Sequence, residues 1–358
     1  MQIRSKAEAQ RRADQIAIFR AELAHLEQEQ VVCLDPDQQA ALGRYHGQLL
    51  RWLATAYDID VTHREKQLSL GMRITAFIGA LGLAASLFFF YFQLWGTLST
   101  SRQVTILVAM PLFSLLCTMA TARIDTSGYF AQLFALVSLV SLVLNLTVLG
   151  EIFNLPPSPL ALLIWSVFAF LLAYAVHARL LLAMAILCLA AFLSAQAATW
   201  NGCYWISFGE QPEMFLPAAV LLFLVSLVPH HRFLGFSALY RVLAMLLFFL
   251  PILILSNWGT ASVLDFPEDA IEAGYQISGF VVSAGLIGLG IARGWPEVVN
   301  TANVFLTLFL YTKFYDWWWE WMPKYQFFLI IGASAMLMLL VLKWLRHLSI
   351  QRKGEKAP

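Results

Sequence analysis

The 358-residue sequence predicts an all-α fold: a polytopic integral membrane protein with about ten transmembrane helices and a small N-terminal cytoplasmic helical region. Three observations lead there. The chain is 60% hydrophobic and 13% charged, against roughly 25% charged residues in soluble proteins. The charge is concentrated at one end: residues 1–73 hold ten Lys/Arg and ten Asp/Glu, whereas long stretches after Ile74 hold none. Those stretches approach or exceed the length of about 20 residues that crosses a hydrocarbon core. The chain therefore divides into a head (1–73), a transmembrane helical domain (74–345) and a basic tail (346–358).

In the head, Ile16, Phe19, Leu23 and Leu26 recur at three- and four-residue steps, so 5–30 reads as an amphipathic helix. Asp35-Pro36 supplies a cap followed by proline at the first helical position. Leu42, Tyr45, Leu49, Trp52 and Ala56 then carry the same period through a second helix, and the two are expected to pair as a hairpin. Thr62 and Glu65 form a capping box for a third helix running toward Ile74. Such a module suits docking to a protein partner or self-association, and equally a structural collar. His25, His46 and His63 lack the spacing and the cysteine company of a metal site.

The spans are expected at 74–94, 104–121, 129–150, 159–176, 180–198, 214–228, 236–256, 275–291, 298–312 and 325–345, the sixth and ninth being short. The sequence opens on the polar MQIRSKAEAQRRADQ, so the first span is expected to serve as the insertion signal rather than a cleaved leader. Placing the amino terminus inside puts 19 basic and 13 acidic residues on that side, and only Arg102, Lys313 and Lys324 against nine acids outside. Both termini are then cytoplasmic. Arg123, Arg179, Arg232 and Arg293 mark the inner turns, and this bias accounts for their regular spacing without an internal repeat. Cys33, Cys117, Cys188 and Cys203 offer no like-sided pair, so no disulfide framework is implied.

Apart from Lys343 at the inner end of the last span, only Arg241 is charged within the spans, and it lies near enough to the inner end for its side chain to snorkel to the surface. No span contains Asp or Glu, which argues against a proton-coupled carrier with a buried carboxylate. Gly82 with Ser86, and Gly279, Ser283, Ala284, Gly288 and Ala292, fall at four-residue steps that let helices approach closely. The remaining polar residues lie toward the outer half: Asn145, Glu151 and Asn154, then Gln196, Asn257 and Gln276. They would line an outward vestibule, or simply mark the wetter ends of helices.

Outside, KFYDWWWEWMPK (313–324) sets Trp317 and Trp321 on one helical face and Asp316 with Glu320 on another, with Pro323 opening the last helix. Tryptophan prefers the headgroup level, so the stretch reads as an interfacial belt and a joint. Aromatics beside carboxylates also suit a sugar or a cation. Asp265 with Glu268 reads as the capped start of a short surface helix. All seven histidines fall inside or in the tail, no nucleophile motif is present, and no cofactor, metal or nucleic-acid site is expected.

The run RGWPEVVNTANVFLTLFLYTKFYDWWWEWMPKYQFFLIIGASAMLMLLVLKWLR, with LTVLGEIFNLPPSP and the amphipathic head, resembles bacterial membrane proteins grouped as domain of unknown function 2157. The resemblance covers most of the chain and implies a multi-pass protein of the bacterial cytoplasmic (inner) membrane, with no activity or site residues to carry over. Three functions follow as expectations: a non-enzymatic membrane component acting through partners, a transporter or flippase with an outward vestibule, or an envelope enzyme acting on a lipid-linked or sugar substrate.

Overall fold

The computed structural model describes residues 6–57, 98–124, 128–154, 158–200, 211–228, 230, 233 and 235–334, with scattered positions at 71–90 and 336–340. Every regular element among them is helical. The capping box at Thr62, Cys203, Arg232 and the basic tail, all singled out in the sequence, lie outside the described residues. The chain forms two compact units, one of residues 1–185 with 230–234, the other of 186–229 with 235–358.

The first unit opens with α1 (Lys6–Gln28) and α2 (Pro36–Tyr57), the expected hairpin. Gln39 Nε2 donates to Glu27 Oε1 across it at 2.9 Å. Ala9 and Ala13 of α1 meet Leu53 of α2, with Leu49, Leu50 and Ala54 packed around them. Alanine on one helix lets the other approach, and this fixes the phase of α2. The buried positions are His46 and Leu53, each one residue beyond the expected Tyr45 and Trp52, which are exposed, while Leu49 and Leu50 are both half-buried. Phe19 is likewise half exposed, its ring edge-on to His46 at 5.8 Å.

Next come α3 (Thr100–Ile124), α4 (Tyr129–Ile152), α5 (Leu160–Val176) and α6 (Arg179–Trp200). The unit boundary falls inside α6. Within α3, Pro111 has no N–H to give the carbonyl of Leu107 four residues earlier. Asn145 of α4 supplies the missing donor, its Nδ2 bonding Leu107 O. A side chain expected at a vestibule thus mends a proline gap between two helices. Ser166 Oγ similarly ties α5 to Ala185 O at 2.9 Å.

The second unit continues from α6 through a 3-10 turn (Pro212–Phe215), α7 (Leu216–Val225), α8 (Phe236–Leu255), a second 3-10 turn (Gly259–Ala261), α9 (Glu268–Arg293) and α10 (Pro296–Trp318). Helix resumes at 324–334 beyond Pro323, as expected of the joint. The core joins Met245, Phe249 and Ile252 of α8 to Ile287 of α9 and to Val298, Ala302, Phe305 and Phe309 of α10. Phe249 and Phe305 stack at 4.8 Å. At two points α9 approaches α10 as only glycine allows. A Cβ on Gly279 would lie 2.7 Å from the Phe309 ring, and one on Gly290 would lie 2.7 Å from Val299 Cγ2. The close-packed stripe is therefore Gln276, Gly279, Ser283, Ile287 and Gly290. Ala284, Gly288 and Ala292, expected in that contact, face outward.

Among the described residues, five helices are long and apolar enough to cross a membrane: α3, α4, α6, α8 and α9. This is half the expected set. The apolar α5 and the 212–225 segment are shorter, and α10 has only 298–312 free of charge between Glu297 and Lys313. The expected spans at 74–94 and 325–345 lie partly outside the described residues. The acidic stretch at 265–274 does not make a short helix of its own. Its residues from Glu268 onward are the first turns of the 26-residue α9, capped by Pro267 rather than Asp265.

Candidate functional site

In the second unit α9 runs antiparallel to α8 and α10, giving this bundle two chemically distinct ends. At one end α8 begins, α9 finishes and α10 begins. There Arg241 of α8, expected to snorkel, is 9% exposed and bonds Glu297, with Nε to Oε1 at 2.8 Å. Its guanidinium lies 4.4 Å from the centre of the Trp295 ring. A buried cation needs such a partner, because removing it from water costs more than isolated burial returns. Gly294, with φ of 67°, makes the turn between α9 and α10 that brings Trp295 and Glu297 to it.

The opposite end carries most of the polar chemistry. Gln211 N donates to Ala261 O at 2.9 Å, tying the two 3-10 turns together. Glu213, in the first of them, receives three donors on Oε1: Ser262 Oγ at 2.5 Å, Val263 N at 3.2 Å and the Tyr275 hydroxyl at 3.3 Å. Its other oxygen is enclosed and without a partner, as is Gln211 Oε1. Beside it Glu272 Oε1 accepts the Gly259 N–H at 3.1 Å. A Cβ on Gly259 would lie 2.7 Å from Glu268 O, so glycine is required for that approach. Lys313 of α10 is buried between Asp316 at 3.0 Å and Glu272 of α9 at 3.7 Å. One lysine among three carboxylates leaves this end negative.

The tryptophan-rich stretch divides around that lysine. Trp318 stacks on Phe314 at 4.8 Å and Trp319 on Tyr315 at 5.1 Å. Lys324 covers the other part of Trp319, its Nζ 3.6 Å from the ring centre. Trp317 and Trp321 are 63% and 77% exposed, and Glu320, Trp258, Phe266 and Tyr325 are exposed too. The surface of this end is thus aromatic and acidic, over an interior of mutually bonded polar groups.

Of the ten residues expected at an outer site, Asp316, Trp317, Glu320 and Trp321 share the end of α10 and the turn after it. Gln276 lies one turn of α9 beyond Glu272, and its Nε2 donates to Phe309 O at 2.9 Å. Asn257 closes the end of α8, donating to Leu253 O at 2.7 Å. Gln196 is half-buried near the end of α6. Asn145, Glu151 and Asn154 belong to the first unit, the last two exposed. Sequence reasoning passed over Glu213 and the pairing of Glu272 with Lys313. The available signal was an acid immediately after Pro212, at the entry to an apolar helix. Among the described residues no group of three His, Cys, Asp or Glu side chains is placed to hold a metal.

Compared with family models, with curated proteins and with solved structures, the chain matches none.

Proposed function

We propose that the chain is a non-enzymatic component of a bacterial cytoplasmic membrane, with both termini cytoplasmic, acting through a partner at the aromatic-acidic end of its second unit. One observation carries the reading. Three conspicuous polar side chains are engaged in holding helices together: Asn145 bonds Leu107, Gln276 Nε2 bonds Phe309 O, and Lys313, at the end of α10, joins Glu272 and Asp316. Groups fixed to neighbouring backbone and to one another build a closed end rather than a water path. The exposed Trp317, Trp321 and Glu320 remain available to a partner. Aromatic anchors ringed by polar residues are the composition of interaction hot spots.

Cysteine accessibility separates this reading from transport. In a background lacking the four native cysteines, single cysteines replace Gln276, Ser283 and Ile287 in turn along α9, with Glu320→Cys as the exposed control. A membrane-impermeant maleimide is expected to label position 320 and leave 283 and 287 unlabelled. Labelling that continues to 283 and 287 would reveal water inside the bundle and make a carrier the working function.

A further inference from the structure

We propose that the second unit binds one anionic phospholipid, with an acyl chain in the groove between α7, α8 and α9 and its phosphate at Arg293. The inference rests on the membrane-embedded reading of α8 and α9. The groove is an open hollow of about 180 Å³ lined by Ala219 and Phe223 of α7, Ala244 and Met245 of α8, and Val282 and Leu286 of α9. Every one of these side chains is apolar. A polar ligand or a water would find no hydrogen-bond partner there, whereas a hydrocarbon needs none. The small Ala219 and Ala244 create the space. Both face the interior, so the hollow lies within the bundle surface and is not a mere gap between protruding side chains.

Charge complementarity identifies the occupant's other half. Val282 and Leu286 lie on the stripe of α9 that continues through Gly290 to Arg293, at steps of four, four and three residues. At helical rise, Arg293 is about 10 Å beyond Leu286. On α8, Arg241 lies one turn from Met245 toward the same end. Both guanidiniums approach Trp295, at 4.4 Å and 5.7 Å from its ring centre. Glu297 neutralises Arg241, but among the described residues no carboxylate lies within ion-pair distance of Arg293, which is exposed. The cluster therefore presents one uncompensated positive charge about 10 Å along α9 from the apolar groove. An indole beside a cation at the end of an apolar channel matches the boundary between phosphate and chain.

The test uses the full chain extracted in mild detergent and observed by native mass spectrometry with equal phosphatidylglycerol and phosphatidylcholine of matched chains. Separately, resistance of the protein to alkaline extraction from membranes reports whether it is embedded at all, so failure of that reading is seen independently. The wild-type chain is expected to retain one phosphatidylglycerol about fivefold in preference to phosphatidylcholine, the discrimination one arginine provides near a headgroup. R293Q should lose the preference while still retaining lipid, and R293K should keep it. Val220→Phe, on the lipid-facing lip of the groove, should lower retention of both lipids. Equal retention of the two lipids by the wild-type chain, or an unchanged preference in R293Q, would overturn the proposal. Undiminished retention by Val220→Phe would overturn the assignment of the groove.

Discussion

Asn145 shows how a single polar side chain in an apolar helix is explained by a residue elsewhere. The proline at 111 creates an orphan carbonyl at Leu107, and a buried carbonyl without a donor costs about 1–3 kcal/mol. Asn145→Leu is therefore expected to destabilise the α3–α4 pair by about that amount in thermal unfolding of the detergent-solubilised chain. Pro111→Ala restores the N–H that α3 lacks. In that background the same Asn145→Leu change should cost much less, and equal costs in both backgrounds would dissociate the two residues. His46 makes a second case, outside the spans. Burial, and then the nearby charges of Arg20 and Arg12, lower its pKa below 6.5, and its Nδ1 is enclosed without a partner. The unfolded head then binds more protons than the folded one in the window beneath pH 6.5. Its stability is present in full above that value and declines as the pH falls. Amide exchange in α1 and α2, corrected for intrinsic rates, should speed up between pH 7.5 and 5.0, and His46→Phe should abolish the difference.

Among the elements, the contact between α9 and α10 rests on two glycines eleven residues apart on one stripe. Phe309 is fully buried, so its ring cannot move away from a side chain at 279 without disturbing Phe249 and Phe305. Gly279→Val is expected to lower stability by about 1–3 kcal/mol, the usual penalty of overpacking, whereas Gly288→Val, facing open space, should be tolerated. Comparable melting temperatures for the two variants would remove Gly279 from the packing account. These helices also show what sequence periodicity can and cannot read. The apolar runs locate α3, α4, α8 and α9 because length and lack of charge are properties of each segment alone. Which face is buried depends on the partner. Gly288 and Gly279 look alike in sequence, and only the Phe309 ring distinguishes them. In α2 the stripes through Tyr45 and Trp52 and through His46 and Leu53 are both apolar enough, and Ala9 and Ala13 of α1 decide between them. Likewise the Glu272–Lys313 pair joins residues far apart in sequence that belong to different helices, so no local pattern announces it.

At the scale of the molecule, the second unit sorts its charge along the bundle. Arg241 and Arg293 occupy the end where α9 finishes, while Glu213, Glu268, Asp269, Glu272, Asp316 and Glu320 gather where α9 begins and α10 closes. The separation matters because arginine and lysine near span ends are retained on the cytoplasmic side, whereas acids have little influence on insertion. In the orientation we propose, Gly294 lies on the cytoplasmic face and the turn 319–322 on the opposite one. A fluorescent protein that matures only in the cytoplasm, fused after Gly294, is expected to glow, and an exported phosphatase reporter at the same point to be silent. Fusion after Met322 should give the reverse. The proposed orientation rests on few charges, since Arg293 lies close to the compensated pair of Arg241 and Glu297. Arg293→Glu combined with Thr312→Arg at the far end of α10 should therefore shift the phosphatase signal at Met322 toward the cytoplasmic value. A signal at Met322 that stays fully exported in that double variant would transfer control of orientation to the arginines at 123 and 179 in the earlier helices.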